Sequence, residues 1–134
     1  MRNTFCLLAI IALVPALNGC GNDEDTRPPD TPSVINIETP IAGTIFLNGT
    51  NLQVKGDVAD DNALEFVRLE IKNSSSGQVY YQQNNATGNV LFHNFLWNWT
   101  VTGISSSTNV TVKVTAVDRY DYQVSKEVNV VLTD

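Results

Sequence analysis

An all-β sandwich is the fold class this sequence predicts, and three observations predict it. Beyond Ser33, apolar and polar residues alternate with period two through most of the chain, as in strands with one face buried. The apolar positions are mostly β-branched or aromatic, which suits a pleated, half-buried surface. Clusters of Gly, Asn, Asp and Ser separate the runs, and each of these residue types turns a chain for its own physical reason. No window of useful length carries a 3.6-residue period.

Val34, Ile35 and Ile37 begin the first strand, which Thr39-Pro40 closes. Leu52, Val54, Gly56 and Val58 alternate with Gln53, Lys55 and Asp57. Val67, Leu69 and Ile71 alternate with Arg68, Glu70 and Lys72. A further strand is predicted at Val79 to Gln82. Phe95, Trp97, Trp99 and Val101 then alternate with Leu96, Asn98 and Thr100. Val110, Val112, Val114 and Ala116 alternate with Thr111, Lys113 and Thr115, and Val128, Val130 and Leu132 close the chain. Turns are expected at Leu47-Asn48-Gly49, Asp60-Asp61-Asn62, Ser74 to Gly77, Asn84 to Asn89, Gly103 to Ser107 and Asp118 to Asp121. About seven short strands at this spacing predict an immunoglobulin-like antiparallel β-sandwich.

The amino-terminal segment has a different design. Arg2 supplies a short positive region, and Phe5 to Val14 is an unbroken apolar run. That run is too short to span a bilayer, which needs roughly 20 apolar residues, and has the layout of a secretory signal peptide. It ends in Leu17-Asn18-Gly19-Cys20, which resembles the bacterial lipobox. The resemblance implies cleavage before Cys20 and diacylglycerol on its thiol. Three parts follow: residues 1–19 as lipoprotein signal peptide, residues 20–33 as acylated cysteine and tether, and residues 34–134 as the sandwich domain.

The formal net charge is −6 for the chain, and −7 once Arg2 leaves with the signal. This disfavours nucleic acid and anionic headgroups as partners, since both need a cationic surface. Membrane attachment is expected through acyl chains on Cys20, two of which anchor stably. Cys6 leaves with the signal, so no cysteine remains for a disulfide, a zinc thiolate or a nucleophile. The tether, Gly21 to Ser33, carries three prolines and the acidic triplet Asp23-Glu24-Asp25, a composition for an extended spacer. Acidic residues just after the cysteine resemble the address that sends Bacteroidota lipoproteins to the outer face of the outer membrane. Five Asn-x-Ser/Thr sequons, at Asn48, Asn73, Asn85, Asn98 and Asn109, reflect a composition rich in Asn, Ser and Thr.

Within the domain, Pro40-x-x-Gly43, then Gly49, then Leu52-x-Val54-x-Gly56-x-Val58-x-Asp60-Asp61-x-x-Leu64, then Val67-x-Leu69-x-Ile71 are similar to bacterial Ig-like domains. The late Val112-x-Val114-x-Ala116-x-Asp118 fits the same pattern. The resemblance covers most of residues 34–133 and implies fold rather than function. Single-domain Bacteroidota lipoproteins of this kind often have no assigned function. Some related domains carry loop histidine clusters, whereas this chain has His93 alone.

No catalytic constellation is legible. His93 has a strand-like context, and no nucleophile elbow or phosphate cradle occurs. Trp97 and Trp99 fall in phase with Phe95 and Val101, which favours a core role over a sugar platform. The candidate metal ligands are Asp60 and Asp61 in the expected B–C loop, with Asp118 and Asp121 in the F–G loop. These loops leave one end of an Ig-like sandwich, and oxygen-only ligands suit Ca²⁺. Ordinary turn capping is the competing role for the same residues. Arg119, Tyr120 and Tyr122 at that end are candidate binding residues. The expected function is a lipid-anchored, non-enzymatic binding or accessory module at the outer membrane surface, with a protein or glycan partner. It needs no cofactor unless Ca²⁺ binds. An architectural subunit of an envelope complex and a calcium-dependent adhesin are the alternatives.

Overall fold

The computed structural model describes residues 29–134, so Cys20 and most of the tether lie outside the described residues. Six strands follow in order: β1 (Val34–Thr39), β2 (Ile45–Leu47), β3 (Asn51–Asn73), β4 (Val79–Thr100), β5 (Thr108–Asp118) and β6 (Gln123–Thr133). No helix occurs among the described residues.

The immunoglobulin-like sandwich arises because β3 and β4 each pass through both layers. The first half of β3 pairs with β1, Val34 opposite Ala59 and Ile37 opposite Gly56. Its second half pairs with β5, Val67 opposite Ala116 and Ile71 opposite Val112. β4 follows β3 through both halves, Val54 opposite Trp97 and Leu69 opposite Gln83. β6 pairs with β5, and β2 closes that layer on β6. One layer is therefore β1, early β3 and late β4. The other is early β4, late β3, β5, β6 and β2.

Three expectations are corrected by these pairings. Asp60 to Asn62 and Asn84 to Asn89 were expected to separate strands, but both lie inside continuous strands. The ladder slips between Ala59 and Leu64 rather than ending. Gly88 and Asn89 adopt positive φ, 75° and 61°, so β4 bends there without a loop. The sheet is also not wholly antiparallel, because β2 runs parallel to β6.

Period-two burial fills the space between the layers. Leu52, Val54, Val58, Phe95 and Trp97 of one layer meet Val67, Leu69, Ile71, Val110, Val112, Val114 and Val130 of the other. The Trp97 ring stacks on Phe95 at 4.8 Å. Gly56 is required by close approach. A Cβ there would overlap the Asn36 carbonyl oxygen and lie 2.7 Å from the Phe95 ring.

Candidate functional site

The site is built where β3 crosses from one layer to the other. Residues 60–63 have no ladder partner on β4 or β5, so their polar groups bond to one another, to the segment before β1 and to the turn after β5 instead. Asp60 Oδ1 accepts the backbone N–H of Asn62 at 2.7 Å, the short-range bond by which aspartate shapes a bend. The Ser33 hydroxyl donates to the other oxygen of Asp60. β5 ends beside this crossing: Leu64 faces Asp118, and the Arg119 N–H donates to the Ala63 carbonyl at 2.9 Å.

Three carboxylates gather there. Asp30, Asp60 and Asp61 each offer an oxygen, all within 4.8 Å of one another. Asn62 Nδ2 donates to Asp30 Oδ1 at 3.2 Å and to Asp61 Oδ1 at 3.3 Å. No lysine or arginine among the described residues pairs with them; the ion pairs are Lys55–Glu38, Lys72–Glu70 and Lys113–Glu127. Desolvation raises the Asp30 pKa from its ordinary value, with further upward pushes from Asp60, Asp118 and Asp61, against the bond from Asn62.

Asp118 lies at the foot of this group and is fully buried. Its Oδ1 accepts the N–H groups of Tyr120 at 2.8 Å and Tyr122 at 2.9 Å, which folds the F–G turn. Its Oδ2 is buried without a hydrogen-bond partner among the described residues. Asp121 is exposed on that turn at φ 66° and donates its N–H to the Asp118 carbonyl. It is not one of the three clustered carboxylates. Arg119 is exposed, its guanidinium 4.7 Å from the Tyr120 ring centre and bonded to the Tyr120 hydroxyl at 2.9 Å. Tyr122 is half-buried beside it.

Sequence reading missed Asp30, which has the composition of tether. The only signal was an aspartate four residues before the first strand; its proximity to Asp60 depends on how β1 lies against β3. Trp97 is 2% exposed and belongs to the core. Trp99 is half-buried and stacked between Tyr80 and Tyr81, at 6.3 and 6.0 Å. His93 is half-buried on β4, with Nε2 unpartnered.

Chemically, the arrangement offers hard oxygen ligands at the β3 crossing, and the turn bonded to it carries a cation stacked on an aromatic ring. No protein-family model matches the chain, and no curated protein matches it. Among solved structures, the chain is similar to the fibronectin(III)-like modules of Clostridium thermocellum CbhA, with TM-score 0.51 and 16% identity over 74% of this chain and 94% of the module. CopC from Methylosinus trichosporium OB3b aligns with TM-score 0.44 and 10% identity, over 75% of this chain and 94% of CopC. The first likeness bears on fold alone, and the described residues form an immunoglobulin-like β domain.

Proposed function

We propose that this protein is a lipid-anchored, non-catalytic binding module of the bacterial outer membrane, presenting an Ig-like domain at the cell surface. The lipobox ending at Cys20 and the acidic triplet after it support the anchoring and the address. The observation that carries the binding reading is the polar group at the β3 crossing. There Asp30, Asp60 and Asp61 cluster, and the turn carrying the Arg119–Tyr120 pair is bonded to the same crossing through the Arg119 N–H and the Ala63 carbonyl. Loops and bends held by a rigid sandwich are where such modules place recognition residues. The partner is a protein or glycan.

Fractionating cells that make the chain or its Cys20→Ala variant tests the anchor. The variant is expected to leave the membrane fraction, and retention with unchanged processing overturns the assignment. Protease added to intact cells is expected to remove the domain; complete protection overturns surface exposure. For binding, pull-down with the intact lipoprotein and a glycan array are run with the parent chain and with Arg119→Ala/Tyr120→Ala. A partner retained equally by the double variant moves the binding surface elsewhere. Robust turnover of glycoside, ester or peptide substrates by the purified protein overturns the non-catalytic reading.

A calcium-dependent version has its own support. Asp118 leaves a buried oxygen unpartnered, and its charge is felt by Asp30. A divalent cation held by Asp30, Asp60 and Asp61 would relieve their repulsion and tie the tether to the domain. At 100 times the dissociation constant, ligand stabilises the folded state by about 2.7 kcal/mol. Melting of the full chain in millimolar Ca²⁺ against chelator is expected to differ by about 10 °C or more, given roughly 4–8 °C per kcal/mol. Asp60→Asn/Asp61→Asn should abolish the shift, and equal melting in both conditions overturns calcium.

A further inference from the structure

Among the described residues, the longest strand edge is also the least protected. β4 pairs only with β3 among the described residues, so its other side is an edge along both layers. An exposed edge is a template for another strand, and proteins normally blunt it with charge, proline, bulges or shortness. The other edges here follow that rule. β2 has 3 residues. On β1, Glu38 pairs with Lys55, and the Lys126 ammonium donates to the Ile35 carbonyl at 3.0 Å. The part of β6 beyond β2 carries Lys126 and Glu127.

β4 has only the bend at Gly88 and Asn89, and residues 92–100 have none of these guards. The 22 residues of β4 include no Asp, Glu, Lys, Arg or Pro. The neutral run extends further, since no charged residue occurs between Lys72 and Lys113. Residues 92–100 keep unbroken register with 51–59 of β3, so this part of the edge is regular. Phe92 and Leu96 are 54% and 57% exposed on it. They face outward with Asn94 and Asn98, opposite Ala59, Lys55, Asp57 and Gln53 of β3.

Neutrality also identifies the occupant. A two-fold interface sets a surface against its own copy, and like charges directly opposite are destabilising. A strand meant for a different partner can use opposite charge for complementarity. An uncharged strand meets its own copy without like-charge contact in any register, which matters in a chain of net charge −6. We propose that β4, through residues 92–100, pairs antiparallel with the same strand of a second copy of this chain. The pairing extends the β1–β3–β4 layer across the interface and sets Phe92 and Leu96 beside outward side chains of the second copy.

Cysteine cross-linking in cells making the full chain tests this. Directly opposed antiparallel residues have Cα atoms about 4.5–5.5 Å apart, within disulfide reach. Cysteine replaces Phe92, Asn94, Leu96 and Asn98, singly and in adjacent pairs, and a mild oxidant is added. The parent chain controls for Cys6 and Cys20, and Val34→Cys on exposed β1 controls for random encounter. A covalent species of twice the chain mass is expected from at least one β4 variant and from neither control. Phe92→Lys, or Leu96→Lys where Leu96 is not the cross-linking position, should abolish it, while the neutral Phe92→Thr or Leu96→Thr keeps it. The proposal is overturned if no β4 variant cross-links, if Val34→Cys does so equally, or if the lysine variants still cross-link. A product of another mass overturns it too, and assigns the edge to a different protein.

Discussion

β3 and β4 are nearly equal in length, 23 and 22 residues, and lie side by side through both layers. Their roles differ because their outer sides differ. β3 is flanked by β1 and then β5. Leu52, Val54, Gly56, Val58, Leu64, Val67, Leu69 and Ile71 are all buried on it, against Thr87, Phe95 and Trp97 on β4. β3 also carries Lys55, Asp57, Asp60, Asp61, Glu65, Arg68, Glu70 and Lys72, whereas β4 carries no charge. Partners on both sides make a strand's inward residues indispensable and leave its outward ones free to be charged. A strand with one free side contributes less to the core, and its composition governs what may join it.

The largest expected effect tests this contrast directly. Leu69 on β3 is fully buried and Leu96 on β4 is 57% exposed. Leu69→Ala should lower unfolding free energy by about 2–5 kcal/mol, and Leu96→Ala by less than about 0.5 kcal/mol when the protein is monomeric. Denaturant titration reads both, and similar losses would break the comparison. Gly56→Ala comes next. Its methyl group would collide with the β1 backbone and the Phe95 ring, an overpacking worth about 1–3 kcal/mol. A neutral Gly56→Ala would mean that β1 is free to move away from β3.

Where β3 loses register, Asp118 organises the neighbouring turn. Asp118→Ala removes the acceptor of two backbone N–H groups and should cost about 0.5–1.5 kcal/mol. Amide exchange at Tyr120 and Tyr122 should rise with it, and unchanged exchange would remove Asp118 as the organiser. The smallest effect is at Asp30, whose pKa the folded state raises. Raising an acid's pKa on folding penalises its ionised form, so this contribution opposes folding as pH climbs through the carboxylate range and persists above it. Asp30→Asn should therefore melt slightly higher than the parent at neutral pH in chelator, with the gap closing in acid. A lower melting point at neutral pH would show that the Asn62 bond outweighs the neighbouring charges.

What the sequence determined by itself is the inward set. Val54, Val58, Leu69, Ile71, Phe95, Trp97, Val112, Val114, Val130 and Leu132 alternate in the chain and are buried in the fold. A strand's side-chain period is a local property, so it is legible without knowing any partner. The Ser74–Gly77 turn was legible for the same reason, because Asn73 caps its own neighbours through bonds to Ser75 and Ser76. Only tertiary structure decided that Asp60 to Asn62 and Asn84 to Asn89 bend strands rather than end them. Residues of that type turn a free chain, but β3 and β4 resume pairing beyond the slip, and that outcome depends on residues far away in sequence. Pairing also made β2 run parallel to β6, brought Asp30 to Asp60 and Asp61, and left β4 with an open side. Those are contacts between distant segments, and a period-two pattern names which side chains point inward without naming which strand lies beside them.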